Sequence, residues 1–114
     1  MALPNQEKCG GYGMSVDAAW TDLTSAEFKN AQVTPVAALA ASLQFTRFTV
    51  TNTHATQSVY VLLFAATNEA TTNALLVPAG KSIDFDVSRM MVLAIAIQGS
   101  GAATTGGITA WFRA

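Results

Sequence analysis

Between residues 48 and 87 the chain alternates strand-like runs with polar turns, and that rhythm restricts it to β structure. Phe48-Thr49-Val50-Thr51-Asn52-Thr53 is followed by Val59-Tyr60-Val61-Leu62-Leu63. Then come Leu76-Val77-Pro78-Ala79-Gly80-Lys81-Ser82 and Ile83-Asp84-Phe85-Asp86-Val87. β-branched and aromatic residues fill the runs, while Asn, Pro and Gly mark the breaks. Residues 81–87 alternate most cleanly, with Ile83, Phe85 and Val87 on one side and Ser82, Asp84 and Asp86 on the other. That is the period of two of a half-buried strand. Residues 43–51 also read as a strand. Leu43 and Phe45 share one face there, and Phe48 and Val50 the other, which predicts a bulge or a strand buried on both sides.

The rhythm continues to both sides of this stretch. Residues 58–65 are apolar throughout, as expected for a central strand covered on both faces, which would bury Tyr60. Residues 91–98 are again apolar and β-branched, and residues 99–107 read as a loop with glycine at both ends. Residues 108–113 close the chain as a strand, with Ile108, Ala110 and Phe112 on one side and Thr109, Trp111 and Arg113 on the other. Upstream, residues 31–36 read as an extended edge segment because Pro35 removes a ladder donor. Residues 37–41 read as a strand continuation or a tight connection. Short strands about 8–12 residues apart with turns between them give an all-β fold, a small antiparallel β-sandwich of jelly-roll or Ig-like type.

Residues 1–27 break the pattern. Pro4, Gly10, Gly11 and Gly13 interrupt any regular element, and Tyr12, Met14, Val16, Trp20 and Leu23 follow no sustained period. The expectation is an extended N-terminal arm over 1–27, anchored by Tyr12 and Trp20, ahead of a sandwich domain over 28–114.

At 114 residues the chain is one domain's worth and can bury an autonomous core. It is 51% hydrophobic and only 11% charged, where about 25% charged is ordinary. So charge-poor a surface is a poor colloid in isolation, which points to a homo-oligomer or a covering partner. The formal net charge is −1, and the six basic residues form no patch, so a nucleic-acid partner is not expected. No apolar run reaches the 18–20 residues of a membrane span. The N-terminus lacks the basic start and apolar centre of a signal peptide, so synthesis in a cytoplasm is expected.

Candidate chemistry is sparse. Asp84 and Asp86 share a strand face at about 7 Å, a spacing compatible with paired carboxylates. They occupy the same environment, however, whereas an acid–base pair needs two. His54 stands four positions from Ser58 in a polar turn, without the third group that orients a nucleophile–base pair. Cys9 has neither a disulfide partner nor the companions of a zinc site. The loop at 99–107 has no lysine after its glycines and precedes a strand, so it is no phosphate cradle. No catalytic residue, metal site or cofactor is expected, and the chain is read as a non-enzyme. Among the aromatics, Trp111 faces solvent or a partner, and tryptophan is enriched at interface hot spots.

The run Phe48-Thr49-Val50-Thr51-Asn52-Thr53, Ser58-Val59-Tyr60-Val61, Val77-Pro78-Ala79-Gly80-Lys81-Ser82-Ile83 and Ile95-Ala96-Ile97, followed by a Gly/Ala/Thr loop, resembles small virion proteins of tailed bacteriophages. The resemblance covers residues 43–112 and leaves the arm unmatched. It implies a β-sandwich structural protein of the capsid decoration (cement) type on the capsid exterior, with the major capsid protein as partner. Three-fold oligomers and arms suit the junctions between capsomers, so a homotrimer is expected, with Tyr12, Trp20 and Trp111 as interface residues. The alternative is a receptor- or carbohydrate-binding vertex, fibre or tail-adaptor component, using loops 52–57, 67–73 and 99–107.

Overall fold

The computed structural model describes residues 8–30, 37–38, 43–64 and 70–113. Among these residues ten strands form two antiparallel sheets. Strands β1 (Lys8–Val16), β3 (Lys29–Asn30), β4 (Ala37–Ala38), β5 (Gln44–Asn52), β8 (Ser82–Asp86) and β10 (Thr104–Arg113) make the larger sheet, in the order β4-β3-β1-β10-β5-β8. Strands β2 (Thr21–Thr24), β6 (Val59–Leu62), β7 (Leu75–Val77) and β9 (Ala94–Gly99) make the smaller one, in the order β2-β9-β6-β7. The pairing is nested: β1 with β10, β2 with β9, β5 with β8 and β6 with β7. The chain is thus one long folded hairpin wound into two layers, and of the two sandwich types expected this is the jelly roll.

Nesting places the N-terminal strands inside the fold. β1 pairs with β10 over nine positions, from Lys8↔Phe112 to Val16↔Thr104, and Met14 and Val16 are buried in the core. The expected arm over 1–27 therefore does not describe residues 8–27, which form β1, β2 and a 3-10 turn over Ser25–Glu27. Gly10, Gly11 and Gly13 weaken an isolated strand, but hydrogen bonding to β10 on one side and β3 on the other fixes their backbone. Residues 1–7 and the expected edge segment at 31–36 lie outside the described residues, as do parts of the expected strand at 37–41 and the loop at 67–73.

The 3-10 turn is set by a capping box between Thr24 and Glu27. Thr24 N donates to Glu27 Oε2 at 2.7 Å, and Ala26 N donates to Thr24 Oγ1 at 3.3 Å. The turn delivers Phe28 into the core, where it meets Phe112 edge-on at 5.2 Å and Phe45 at 5.5 Å.

A bulge lets β5 bury residues of both parities. Its pairing with β10 shifts between Trp111↔Arg47 and Phe112↔Phe45, leaving Thr46 as the extra residue. Thr46 is buried and donates its hydroxyl to the Trp111 carbonyl at 3.1 Å. Phe45 and Phe48 consequently both face the core, 5.8 Å apart. Of the two expectations for residues 43–51, the bulge is the one realised.

Two further expectations are corrected. The loop expected over 99–107 closes earlier: Gly99 ends β9, and Gly106 and Gly107 lie within β10. Gly106 belongs there because a Cβ would run into the Thr51 carbonyl of the neighbouring strand. Tyr60 is half-buried on the outer face of the smaller sheet, between Gln98 and Leu76, because its neighbours Val59 and Val61 take the inward positions.

Candidate interaction surface

The register of β1, β10, β5 and β8 arranges the outer face of the larger sheet in rows. Cys9, Trp111, Arg47 and Asp86 form one row. Gly11, Thr109, Thr49 and Asp84 form the next, and Gly13, Gly107, Thr51 and Ser82 the third. Most of its side chains are short. Hydroxyls bond across the strands: Thr49 donates to Asp84, and Thr51 and Ser82 share a hydrogen at 2.7 Å. At one end of the face the Arg47 guanidinium stacks over the Trp111 ring at 4.8 Å. This contact is a cation–π pair. Beside it Arg47, Thr49, Asp84, Asp86 and Trp111 line an open groove of about 420 Å³, with Phe48 and Phe85 beneath.

The two carboxylates face outward as the alternation requires. Asp86 accepts the Ser88 N–H at 3.0 Å. That backbone bond, followed by the Ser88 hydroxyl and the Arg47 and Arg89 charges, holds its carboxyl below the ordinary 3.8. A general acid needs the opposite shift, toward neutrality, so Asp86 is not held as one.

His54 belongs to the turn at the other end of the roll. Its Nδ1 accepts the backbone amides of Thr56 at 3.1 Å and Gln57 at 2.9 Å, and its own N–H donates to Asn52 Oδ1 at 3.0 Å. The Gln57 amide nitrogen, assigned by its partners, donates to Thr104 Oγ1 and to the carbonyls of Gly101 and Ala102. Histidine and glutamine together fasten two adjacent turns. That is a structural role, and it does not involve the Ser58 hydroxyl.

The three expected interface residues separate. Trp111 stands half-buried on the outer face of the larger sheet. Trp20 is half-buried in the connection between β1 and β2. Tyr12 points the other way, packed on the core with its ring 5.9 Å from Phe28. Parity explains the correction, since Tyr12 shares the face of Met14 and Val16 once β1 is a strand. Arg47 was not singled out from the sequence, because its place over Trp111 depends on the β5–β10 register. Nor were the exposed apolar residues Phe64, Leu75, Leu76, Met90, Met91 and Leu93, since an apolar run reads as core.

No group of three or more metal-ligating side chains gathers among the described residues. Among them no helix is long and apolar enough to cross a membrane.

No protein-family model matches the chain, and no curated protein matches it in sequence. Solved structures match in fold. A protein of Bacillus endospore appendages, described as disulfide-linked pili, superposes with a TM-score of 0.64 at 14% identity, covering 96% of this chain and 86% of its own. The Tobacco streak virus coat protein dimer gives 0.53 at 13% identity, covering 97% of this chain and 87% of that one. A second crystal form of that coat protein gives 0.51 at 12% identity, covering 100% and 90%. The chain is therefore an antiparallel β-sandwich with the fold of these proteins.

Proposed function

We propose that this chain is a non-enzymatic structural protein that acts by assembly, and in particular a capsid decoration (cement) protein bound to the exterior of a phage head. The observation that carries the reading is fold likeness over nearly the whole chain to a virus coat protein and a pilus protein. The outer face of the larger sheet supports it, because its rows of mostly short side chains offer a broad surface to a partner protein. Trp111 with its stacked Arg47 is the anchor we assign to that face, facing the major shell protein. Trp20 is the second anchor. Binding only the folded, assembled state stabilises a shell by mass action without any chemical step.

The covalent polymerisation named for the endospore appendage does not carry over. Cys9 is the single cysteine of these 114 residues, so each copy can make one intermolecular disulfide at most, enough for a pair and not for a continuous strand. Contact between copies is part of the proposal, in keeping with the coat-protein dimer and with the charge-poor surface.

The test is quantitative mass spectrometry on particles purified from the source. About one copy per shell subunit, or one-third of that, is expected. Complete absence from particles overturns the reading. The groove beside Trp111 favours a second reading, a saccharide- or receptor-binding virion component, because an aromatic ring flanked by carboxylates and a guanidinium is suited to sugar hydroxyls. Only a few copies per particle together with hits on a glycan array would select it.

A further inference from the structure

The two ends of the roll are chemically unlike. One end is built from the turns around Asn52, His54, Gln57 and Ser100, where the side chains of Asn52, His54 and Ser100 accept backbone amides. At the other, β6 runs out into Phe64, β7 begins at Leu75, and the connection from β8 to β9 passes through Met90, Met91 and Leu93. These side chains are 51, 45, 48, 76 and 46% exposed, respectively. The β6–β9 ladder ends at Leu62↔Ala96, so the chain leaves β6 towards Phe64 at the end where β9 begins, just after Leu93.

This apolar end is preformed. Val92 between Met91 and Leu93 is buried, and its carbonyl accepts the Phe45 N–H at 2.8 Å. Pinning Val92 inward turns both of its neighbours outward. Further up the connection Met90 N donates to the Val87 carbonyl at 3.0 Å, and Arg113 donates to the Ser88 carbonyl at 3.0 Å. Each of the five keeps at least 45% of its surface in solvent, apolar area of the kind that the core of an interface covers.

We propose that this end is a two-fold contact between two copies of the chain. Stacking head to tail would set methionine, leucine and phenylalanine against the asparagine, histidine and glutamine of the polar end, leaving polar groups without water. Apolar end against apolar end matches itself, which is what an isologous interface demands. The rim carries both signs, with Asp86, Arg89 and Arg113, so the two copies meet no single-sign field. Exposed methionines suit such a contact because their unbranched side chains adapt to the facing surface. The resulting assembly is a dimer or is built from dimers, in place of the trimer the phage resemblance implies, and it leaves the outer face of the larger sheet free for a shell.

Sedimentation equilibrium of the full chain tests the proposal. A dimer is expected, and Met91→Asp with Leu93→Asp should weaken it at least 100-fold while leaving the circular dichroism spectrum unchanged. Independently, Met91→Cys in a Cys9→Ser background should oxidise to a covalent dimer, whereas Thr109→Cys in the same background should not. A monomer at 100 μM protein, a trimer, an open filament, or a dimer indifferent to both changes overturns it. The proposal rests on the assembly reading only in requiring that copies meet. A monomer that still occurs on particles ends the two-fold contact and spares the proposed function, and a dimer absent from particles does the reverse.

Discussion

Asn52 shows how much one side chain can hold at the polar end of the roll. It is the last residue of β5 and is 1% exposed. Its Nδ2 donates to the Gln57 carbonyl at 2.8 Å and to the Val77 carbonyl at 3.2 Å, while Oδ1 accepts the His54 N–H. Val77 lies in the smaller sheet, so this amide ties the two layers together as well as closing its own turn. Replacing it leaves buried backbone groups without partners, a loss of about 1–3 kcal/mol. We expect Asn52→Ala to lower stability by that amount, read as a shift of the urea midpoint at constant slope. His54→Ala, whose turn is more exposed, should cost less.

At the scale of elements, the exposed edges are treated differently. β8 ends the larger sheet and places Asp84 and Asp86 on its outward side, and Asp22 lies in β2 at one edge of the smaller sheet. Charges on an edge discourage the pairing of its free N–H and C=O groups with another chain. Strand β7 has no charge, only Leu75, Leu76 and Val77, but it is three residues long and is followed by Pro78. Asp84→Val with Asp86→Val should keep the strand, since valine favours it, while removing the block. The expected outcome is a native-like circular dichroism spectrum with light scattering that grows beyond that of a dimer as concentration rises, which the unaltered chain does not show.

For the molecule as a whole, nested pairing makes the N-terminal strands as essential as the C-terminal ones. Deleting residues 1–27 removes β1 from between β3 and β10, and β2 from the edge of β9. It also takes Met14, Val16 and Leu23 out of the core. Had residues 8–27 been an arm, the remainder would stay folded. The roll predicts instead that the truncated chain shows no cooperative unfolding transition and no dispersed amide spectrum.

Local patterning determined a large part of this. Alternation fixed which residues of β8 and of the terminal strand face inward, and the parities of residues 43–51 required either a bulge or a strand buried on both sides. These are short-range effects, decided by side-chain period. The tertiary structure decided what depends on distant partners: that a glycine-rich stretch becomes a central strand because β10 lies beside it, that Tyr12 turns inward, and that Arg47 covers Trp111. It also decided that Met91 and Leu93 stand in solvent, because the bond from Phe45 to Val92 claims the position between them. An apolar residue's identity states its preference for burial, but only the pairing of remote strands determines which of these residues the core has room to take.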